Sequence, residues 1–354
     1  MPALGALGVN FNENLNWLKQ SELECIKTKW VRGFIDMHQI NIQQARQNAN
    51  IKPLFNAIDT GYNTILSLKW NYSNLDFPKP GSPEHQSELQ TLSRLLDMVM
   101  NHVDILVIGN EPFIEAKPDT DSRINVFYES LAEVVMTSRK VSPGPKTTRL
   151  FMGALNRLDL PANRTPAIER FLEYIASKPD LDGVDLHLHM AGLAGHQSML
   201  DYALLRLRAD QKFLVTEFSL VWHFRQHMAD EVSREFCTKY GFPVRTKVCE
   251  ILSAGIRSPM PLGQWVDFLR GEKWYNGVRG FILQAMEMYK ATGRLEVATY
   301  GLSPMRHRKK GFDVGDTPWL LNGVFAPPTV RIGEDGERCE NWPWAEEFRV
   351  IQGG

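Results

Sequence analysis

Short apolar runs alternate along the chain with longer stretches in which apolar residues recur every three or four positions. The short runs have the length and composition of buried strands, and the longer stretches have the spacing of amphipathic helices. Strand and helix in regular alternation are typical of βα units around a parallel sheet. The predicted strands are, in order, Leu7–Phe11, Trp30–Asp36, Thr64–Leu68, Asp104–Ile108, Leu150–Gly153, Val184–His189, Phe213–Thr216 and Gly280–Gln284.

Helices are predicted between these strands, and Gly61, after the second of them, has the place of a terminating glycine. They span Ser21–Thr28, Ile42–Thr60, Pro83–His102, Arg123–Lys140, Ile168–Ser177 and Met199–Arg208. Eight strand units are the number that closes a barrel, so we predict an α/β fold, a (β/α)8 TIM barrel. A doubly wound open sheet is the rival fold, but no glycine fingerprint follows the first strand.

The length of 354 residues suits a single domain, because barrels of this kind run from about 200 to more than 400 residues. The alternation covers about residues 5–290, which we take as the core barrel. Residues 291–354 lose the alternation and are rich in Gly, Pro and Trp. We therefore predict an eighth loop and a C-terminal tail that packs on the barrel of one catalytic domain.

Charge and composition argue against several classes of partner. Forty basic and 41 acidic residues give a net charge of −1, so no overall field favours nucleic acid or an anionic membrane. No run of 18 apolar residues and no secretory signal is visible, so we expect a cytoplasmic protein or a trimmed secreted one. The four cysteines lack metal-finger spacing, and a bridge between Cys237 and Cys249 is compatible with their separation.

Two predicted strands run directly into a glutamate. Asp104–Phe113 (DILVIGNEPF) leads from strand four into Asn110 and Glu111, and Phe213–Ser219 (FLVTEFS) places Glu217 at the end of strand seven. Active sites of such barrels lie at the carboxyl ends of the strands. We therefore expect both side chains to face one another in the barrel mouth, and not to be carboxylates that merely stabilise helix starts.

Such a pair of carboxyl groups suits the hydrolysis of an acetal by double displacement. One carboxyl protonates the leaving oxygen while the other attacks the anomeric carbon, at a separation of about 5–5.5 Å. One must therefore stay protonated near neutrality and the other ionised.

These motifs resemble those of clan A, the retaining glycoside hydrolases in which an Asn-Glu pair ends strand four of a (β/α)8 barrel and a second Glu ends strand seven. The resemblance implies that Glu111 is the acid/base, with a pKa raised by the cleft and by its ionised neighbour, and that Glu217 is the nucleophile. It also implies that Asn110 binds the sugar 2-hydroxyl and that Arg32 pairs with the nucleophile. His187 or His189 would line the sugar subsite.

Three features depart from common members of the clan. The approach to Asn110 is Val-Ile-Gly, whereas the cellulase-like family 5 has an acidic or amide-containing approach. Histidine replaces the usual aromatic residue on strand six, and the predicted strand eight lacks a tryptophan. We therefore assign neither a family within the clan nor a sugar.

Histidines supply an alternative chemistry. Asp185, His187 and His189 alternate along strand six and share one face, and His223 and His227 lie four residues apart on a predicted helix. A His-x-His strand end also begins the metal site of metal-dependent amidohydrolases, although these carry it on the first strand. We expect hydrogen-bonding groups in a cleft here, with no bound metal and no cofactor.

Two tryptophans follow strand ends and are candidates for stacking on a sugar face, Trp70 after strand three and Trp222 after strand seven; packing in the core is the alternative for both. Glu13, Asp36 and Glu287 are further candidates for binding hydroxyl groups. The prediction is a retaining hydrolase or transferase of an equatorially linked β-glycoside, with a carbohydrate or glycoside as substrate. A metal-dependent barrel hydrolase and a non-catalytic carbohydrate-binding barrel are the alternatives.

Overall fold

The computed structural model describes residues 5–12, 17–40, 51–117, 121–304, 311–333 and 338–353. Eight parallel strands pair in chain order, and the first also pairs with the last, so the sheet closes into a barrel. The strands are β1 (Ala6–Asn10), β2 (Trp30–Asp36), β3 (Asn63–Lys69), β4 (Ile105–Ile108), β5 (Arg149–Asn156), β6 (Gly183–His189), β7 (Lys212–Ser219) and β8 (Leu295–Gly301). The predicted (β/α)8 barrel is confirmed, and the first seven predicted strands overlap the observed ones.

The inside of the barrel changes from apolar to polar along the strands. Near their amino ends, a cluster that includes Trp30 and Ile65 fills the interior. Two residues further on, where side chains return to the same face, Arg32 and Ser67 are fully buried. Buried polar groups need hydrogen-bond partners. This polar layer can therefore hold further polar side chains in place at the carboxyl ends of the strands.

Helices cover the outside of the barrel. Two of them begin at a hydroxyl N-cap followed by proline, where Ser82 and Thr165 accept hydrogen bonds from the backbone of the first turn. The helices are α1 (Gln20–Cys25), α2 (Lys52–Asp59), α3 (Pro83–Val99), α4 (Asp121–Val141), α5 (Pro166–Ser177), α6 (Leu193–Leu204), α7 (Val221–Gln226), α8 (Arg234–Tyr240), α9 (Val248–Arg257), α10 (Leu262–Gly271), α11 (Lys273–Asn276), α12 (Phe281–Ala291) and α13 (Trp344–Ile351). Residues 42–50 of the predicted second helix lie outside the described residues.

The eighth strand lies further along the chain than predicted. Gly280, with a φ of 84°, caps the start of α12, and the segment predicted as a strand forms the first turns of this helix. Its buried side chains recur at helical spacing, as Ala285 and Tyr289 show. The strand itself is β8, and the core barrel therefore continues to residue 301 and not to about 290.

The chain after β8 packs back over the barrel. Gly301 pairs with Gly323, and the Asn322 side-chain oxygen accepts a hydrogen bond from the Leu220 backbone at 2.9 Å. Trp344 of α13 is fully buried. These contacts place the segment after β8 beside the carboxyl end of β7.

The structure also bears on the expected disulfide and on membrane-spanning segments. All four cysteines are free thiols, so Cys237 and Cys249 do not form the bridge considered above. Within the described ranges, no helix combines the length and the apolar character needed to cross a membrane.

Candidate active site

Glu111 lies just after β4, where the chain makes a sharp turn. Gly109 has a φ of 113°, and Glu111 itself adopts a left-handed φ of 50°. A Cβ at Gly109 would lie 2.1 Å from the Gly153 carbonyl oxygen, so β4 and β5 approach too closely for any other residue. The glycine that departs from the family 5 approach is thus required by packing. The strained backbone at Glu111 is of the kind that functional sites hold.

Glu217 lies on β7, and Arg32 of β2 holds its carboxylate. The fully buried guanidinium donates from Nη1 to Glu217 Oε1 at 2.8 Å. Its other hydrogen bonds go to Asn12 Oδ1 (2.6 Å), Asn110 Oδ1 (2.5 Å) and Ser67 Oγ (3.1 Å). The structure therefore brings together the predicted pair Arg32 and Glu217, and fixes the arginine through three further strand ends or loops.

His187 of β6 lies between the two glutamates. Its Nδ1 is 2.9 Å from Glu111 Oε1, and its Nε2 is 3.5 Å from Glu217 Oε1. The same Nε2 lies 3.0 Å from Thr216 Oγ1. Asn156, at the end of β5, donates its amide to Glu111 Oε1 at 2.6 Å. One buried imidazole thus links both carboxylates, in a contact that sequence reasoning did not foresee.

His189 contacts the other oxygen of Glu217. Its Nε2 is 3.4 Å from Glu217 Oε2, and its Nδ1 is 2.8 Å from Ser219 Oγ. Trp319, in the segment after β8, packs edge-on against the His189 ring with centroids 4.9 Å apart. A tryptophan therefore reaches the site from that segment, although β8 itself carries none.

The surroundings of Glu217 favour its ionised form. Burial raises the pKa of Glu217, but the charges of His187 and Arg32 and the hydrogen bond from His189 outweigh burial and hold this pKa well below its usual range. Glu217 is therefore ionised at any pH near neutrality, as a nucleophile must be.

The raised pKa expected for Glu111 is wrong for the free protein. Burial raises the pKa of Glu111, and so does the charge of Glu217, but the hydrogen bond and charge of His187 lower it further than both raise it. For His187, burial lowers the pKa, and the carboxylates of Glu217 and Glu111 raise it above its ordinary value. The proton that Glu111 and His187 share therefore rests on the imidazole.

A second polar group, missed by sequence reasoning, lies beside this cluster. Lys69 ends β3, and its ammonium group contacts Glu115 Oε1, which Asn110 Nδ2 also reaches at 3.5 Å. The Glu115 Oε2 atom is buried with no hydrogen-bond partner among the described residues. Burial raises the pKa of Glu115 to about 7 in spite of Lys69. The position of Lys69 at the end of a predicted strand was the available signal.

Trp70 does not line the cleft. Its side chain is fully buried, its indole nitrogen donates to Glu88 at 3.0 Å, and Phe127 and Tyr128 pack edge-on against it. The prediction that Trp70 stacks on a sugar is therefore wrong, because neither face of its ring is free.

Trp222 is half-buried near the ends of β5 and β7. The guanidinium groups of Arg157 and Arg225 each lie 5.4 Å from the centre of its ring. Arg157 directly follows Asn156, which contacts Glu111. Trp222 thus lies on the same side of the barrel as Glu111, and its role in sugar binding stays a prediction.

The remaining candidates are engaged elsewhere. His223 Nε2 lies 3.0 Å from the Trp274 carbonyl oxygen, and His227 Nδ1 lies 2.6 Å from Asp230. Asp36 accepts hydrogen bonds from the His38 backbone and the Gln39 side chain. Glu287 is exposed on α12, away from the site, and Glu13 lies outside the described residues, so its role stays a prediction.

Glu111, His187 and His189 each offer one ligand atom within 4.8 Å of the others, a spacing that a metal ion could bridge. Hydrogen bonds already connect Glu111 with His187, and His189 with Ser219. Arg32 and His187 also balance the charge of the carboxylates. We describe the site as a hydrogen-bonded acid–base cluster and assign no metal to it.

Comparison with known proteins gives similarity in structure alone, since no protein-family profile and no curated protein matches the sequence. An endo-1,4-beta-xylanase from Caldicellulosiruptor owensensis is similar with a TM-score of 0.55 and 14% identity, over 98% of this chain and 96% of the xylanase. A fungal beta-1,4-galactanase has a TM-score of 0.53 and 13% identity, over 99% and 100% of the two chains. A glucosidase from Croceicoccus marinus has a TM-score of 0.52 and 11% identity over 98% of this chain, which spans 66% of that glucosidase. The likeness shows the fold. The barrel that the clan A resemblance implies is therefore confirmed.

Proposed function

We propose that the protein is a retaining glycoside hydrolase that cleaves or transfers an equatorially linked β-glycoside. One observation carries the proposal: Glu111 after β4 and Glu217 on β7 meet at the opposite nitrogens of His187. One carboxylate is held ionised by Arg32, and the other shares a proton with the imidazole. Double displacement uses one ionised carboxylate and one carboxyl group that delivers a proton, and His187 can supply that proton to Glu111.

Each step then has a named group. Glu217 attacks the anomeric carbon while Glu111 delivers the shared proton to the leaving oxygen, which yields a glycosyl-enzyme and a free alcohol. Glu111 next takes a proton from water, and the water oxygen displaces Glu217 from the sugar. Two inversions give net retention. Because Arg32 occupies the Asn110 oxygen and Nδ2 reaches Glu115 at 3.5 Å, the second amide hydrogen of Asn110 is the one left for a sugar hydroxyl.

Two of the three similar structures support a β-linked substrate by analogy. These two are named as enzymes of β-1,4-linked glycans, a xylanase and a galactanase, and the third is named a glucosidase. Fold analogy alone does not define a substrate, so the sugar has to be determined by experiment.

The test is a screen of aryl β-glycosides and β-linked oligosaccharides with purified protein. Proton NMR of the first product formed, before mutarotation, should show the β anomer. A Glu217→Gln preparation, purified in the same way, reports any contaminating glycosidase. A first product of α configuration, or equal rates in the two preparations, would contradict the proposal.

The metal-dependent alternative rests on the spacing of Glu111, His187 and His189. A hydrolase of that kind would lose activity when its metal is removed, whereas a carboxylate pair would not. The two functions are therefore separated by chelation, as set out in the Discussion.

A further inference from the structure

A line of hydrogen bonds leads from the barrel interior to Glu111. Asp185 Oδ2 lies 2.6 Å from Thr216 Oγ1, which lies 3.0 Å from His187 Nε2, and His187 Nδ1 lies 2.9 Å from Glu111 Oε1. Asp185, Thr216 and His187 are all fully buried. The backbone amide of Thr216 also donates to Asp185 Oδ1, at 3.1 Å. Only the end of the line at Glu111 opens toward the cleft.

The number of available protons decides which atom donates and which accepts in each hydrogen bond of this line. A carboxylate only accepts hydrogen bonds, so the single hydroxyl proton of Thr216 points to Asp185. The hydroxyl oxygen can then only accept from its other neighbour, which requires a hydrogen on His187 Nε2. In neutral histidine only one nitrogen carries hydrogen, so His187 Nδ1 keeps a free lone pair toward Glu111.

We propose that Asp185 and Thr216 are positioning residues that fix the His187 tautomer with hydrogen on Nε2, so that Nδ1 exchanges the acid/base proton with Glu111. This inference rests on the proposed function for its catalytic meaning. In the free protein, the Nδ1 proton of the imidazolium is donated to the Glu111 carboxylate. Its transfer to Glu111 leaves neutral imidazole and a carboxylic acid, which then protonates the leaving oxygen. Glu111 recovers one proton from the attacking water, so the exchange balances over a turnover.

The opposite tautomer would work against catalysis. A neutral His187 with hydrogen on Nδ1 donates to Glu111 and stabilises the carboxylate, and it has no lone pair on that nitrogen to accept a proton. Glu111 would then be held ionised during the step in which it has to act as an acid. The arrangement of Asp185 and Thr216 excludes this tautomer.

The first experiment raises the pH until His187 is neutral, measures its tautomer there, and needs no substrate. With ¹⁵N-labelled histidine, the His187 signals are assigned by their loss in His187→Gln, and in the neutral ring of the wild type we expect hydrogen on Nε2 alone. In Asp185→Asn, the amide nitrogen takes the position of Oδ2 and donates to Thr216, whose proton must then turn to His187 Nε2. The variant should therefore show hydrogen on Nδ1 alone. A wild-type Nε2 without hydrogen, or an unchanged spectrum in the variant, would overturn the proposal.

The second experiment uses substitutions that change little volume. Thr216→Val removes only the hydroxyl, and Thr216→Ser keeps it; Thr148→Val removes a buried hydroxyl that donates to Val103 at the other end of the barrel. General acid catalysis contributes about 10²–10⁴ in rate, so Thr216→Val should lose at least about tenfold in kcat on glycosides with poor leaving groups. KM, and kcat on nitrophenyl glycosides, should change far less.

Serine should restore the activity on poor leaving groups, and Thr148→Val should not reproduce the defect. An equal loss on both classes of substrate, or a serine variant as impaired as valine, would show a merely structural role for Thr216. If the protein hydrolyses no glycoside, the proposed function fails, while the ¹⁵N measurement still decides the tautomer.

Discussion

At the scale of the residue, the two glutamates have the same side chain and differ in protonation behaviour because their neighbouring residues differ. Arg32 holds Glu217 ionised, whereas Glu111 faces His187, which carries their shared proton. Sequence reasoning pointed to both glutamates because each follows or ends an apolar run, and the resemblance to clan A pointed to Arg32. It could not find where the proton rests, because that depends on a 2.9 Å contact between strands four and six of the barrel.

Glu217→Gln should lower turnover by several orders of magnitude while the protein remains folded. The amide is a poor nucleophile and cannot form the glycosyl-enzyme. Initial rates on an activated aryl β-glycoside, together with circular dichroism and the unfolding midpoint, test this expectation. Wild-type turnover by a clean preparation would remove Glu217 from the role of nucleophile.

Glu111→Ala should be about 10²–10⁴ slower on glycosides with poor leaving groups, and much less impaired on nitrophenyl glycosides. Once the glycosyl-enzyme forms, the space left by the side chain admits azide, which should accelerate turnover and give a glycosyl azide of retained configuration. Product NMR measures the configuration. Equal impairment with both kinds of leaving group, or an inverted azide, would contradict the assignment.

Glu115 should make the stability of the protein depend on pH in the opposite sense to a carboxylate in a strong ion pair. Folding raises its pKa from 4.5 to about 7, so between these values the folded protein binds more protons than the unfolded chain. The contribution of Glu115 to stability is therefore full at low pH and declines as the pH rises through 7. Urea unfolding of wild type and Glu115→Gln at pH 5 and pH 8 should show the variant gaining relative to wild type at pH 8. Parallel changes in the two proteins would refute the raised pKa.

At the scale of the element, the sequence predicts seven of the eight strands and misses β8, whose short apolar run is interrupted by a buried glutamate. Glu296 lies within β8 and pairs with Arg149 of β5, a contact between residues far apart in the sequence. The apolar start of α12 looked more like a strand than β8 did, because local pattern does not reveal such a partner. Trp70 was misjudged for a similar reason: its burial follows from the packing of loops and helices around it.

The turn between β4 and Glu111 should tolerate no side chain at Gly109. Gly109→Ala should cost more than about 3 kcal/mol of stability and lower activity, because strained φ and the 2.1 Å approach to Gly153 act together. Gly61→Ala is the matched control: Gly61 has a φ of +87° but no atom within 4 Å of the added methyl group. It should cost about 1–2 kcal/mol, from the left-handed conformation alone, and leave activity intact. Denaturant unfolding and kcat/KM on one substrate measure both effects, and similar costs at the two glycines would show that the close approach is unimportant.

At the scale of the whole molecule, closing the sheet brings together residues that are far apart in the chain. Asn12, Arg32, Asn110 and Glu217 come from four different parts of the sequence and meet at one guanidinium group. The alternation of strands and helices was enough to predict this barrel and its carboxyl-end site. It did not predict the polar pair of Lys69 and Glu115, or the approach of Trp319 from the segment after β8.

Exhaustive chelation should leave the activity of the protein unchanged. Two carboxyl groups with a shared proton suffice for acetal chemistry, and Arg32 supplies the positive charge beside Glu217. The measurement compares kcat/KM before and after chelation, with metal content determined in parallel. A loss that zinc or manganese restores would instead favour the metal-dependent hydrolase built on His187 and His189.

The contacts of Trp319 with His189 and of Asn322 with Leu220 also bear on how the protein is made. The ribosome releases Glu111 and Glu217 well before it releases β8 and the segment that carries Trp319 and Asn322. Until then β1 has a partner only in β2 and the sheet stays open on its other side, so a growing chain holds both glutamates before the closed barrel brings them into their final geometry. The geometry of the proposed site therefore forms late in translation, in the step that closes the barrel.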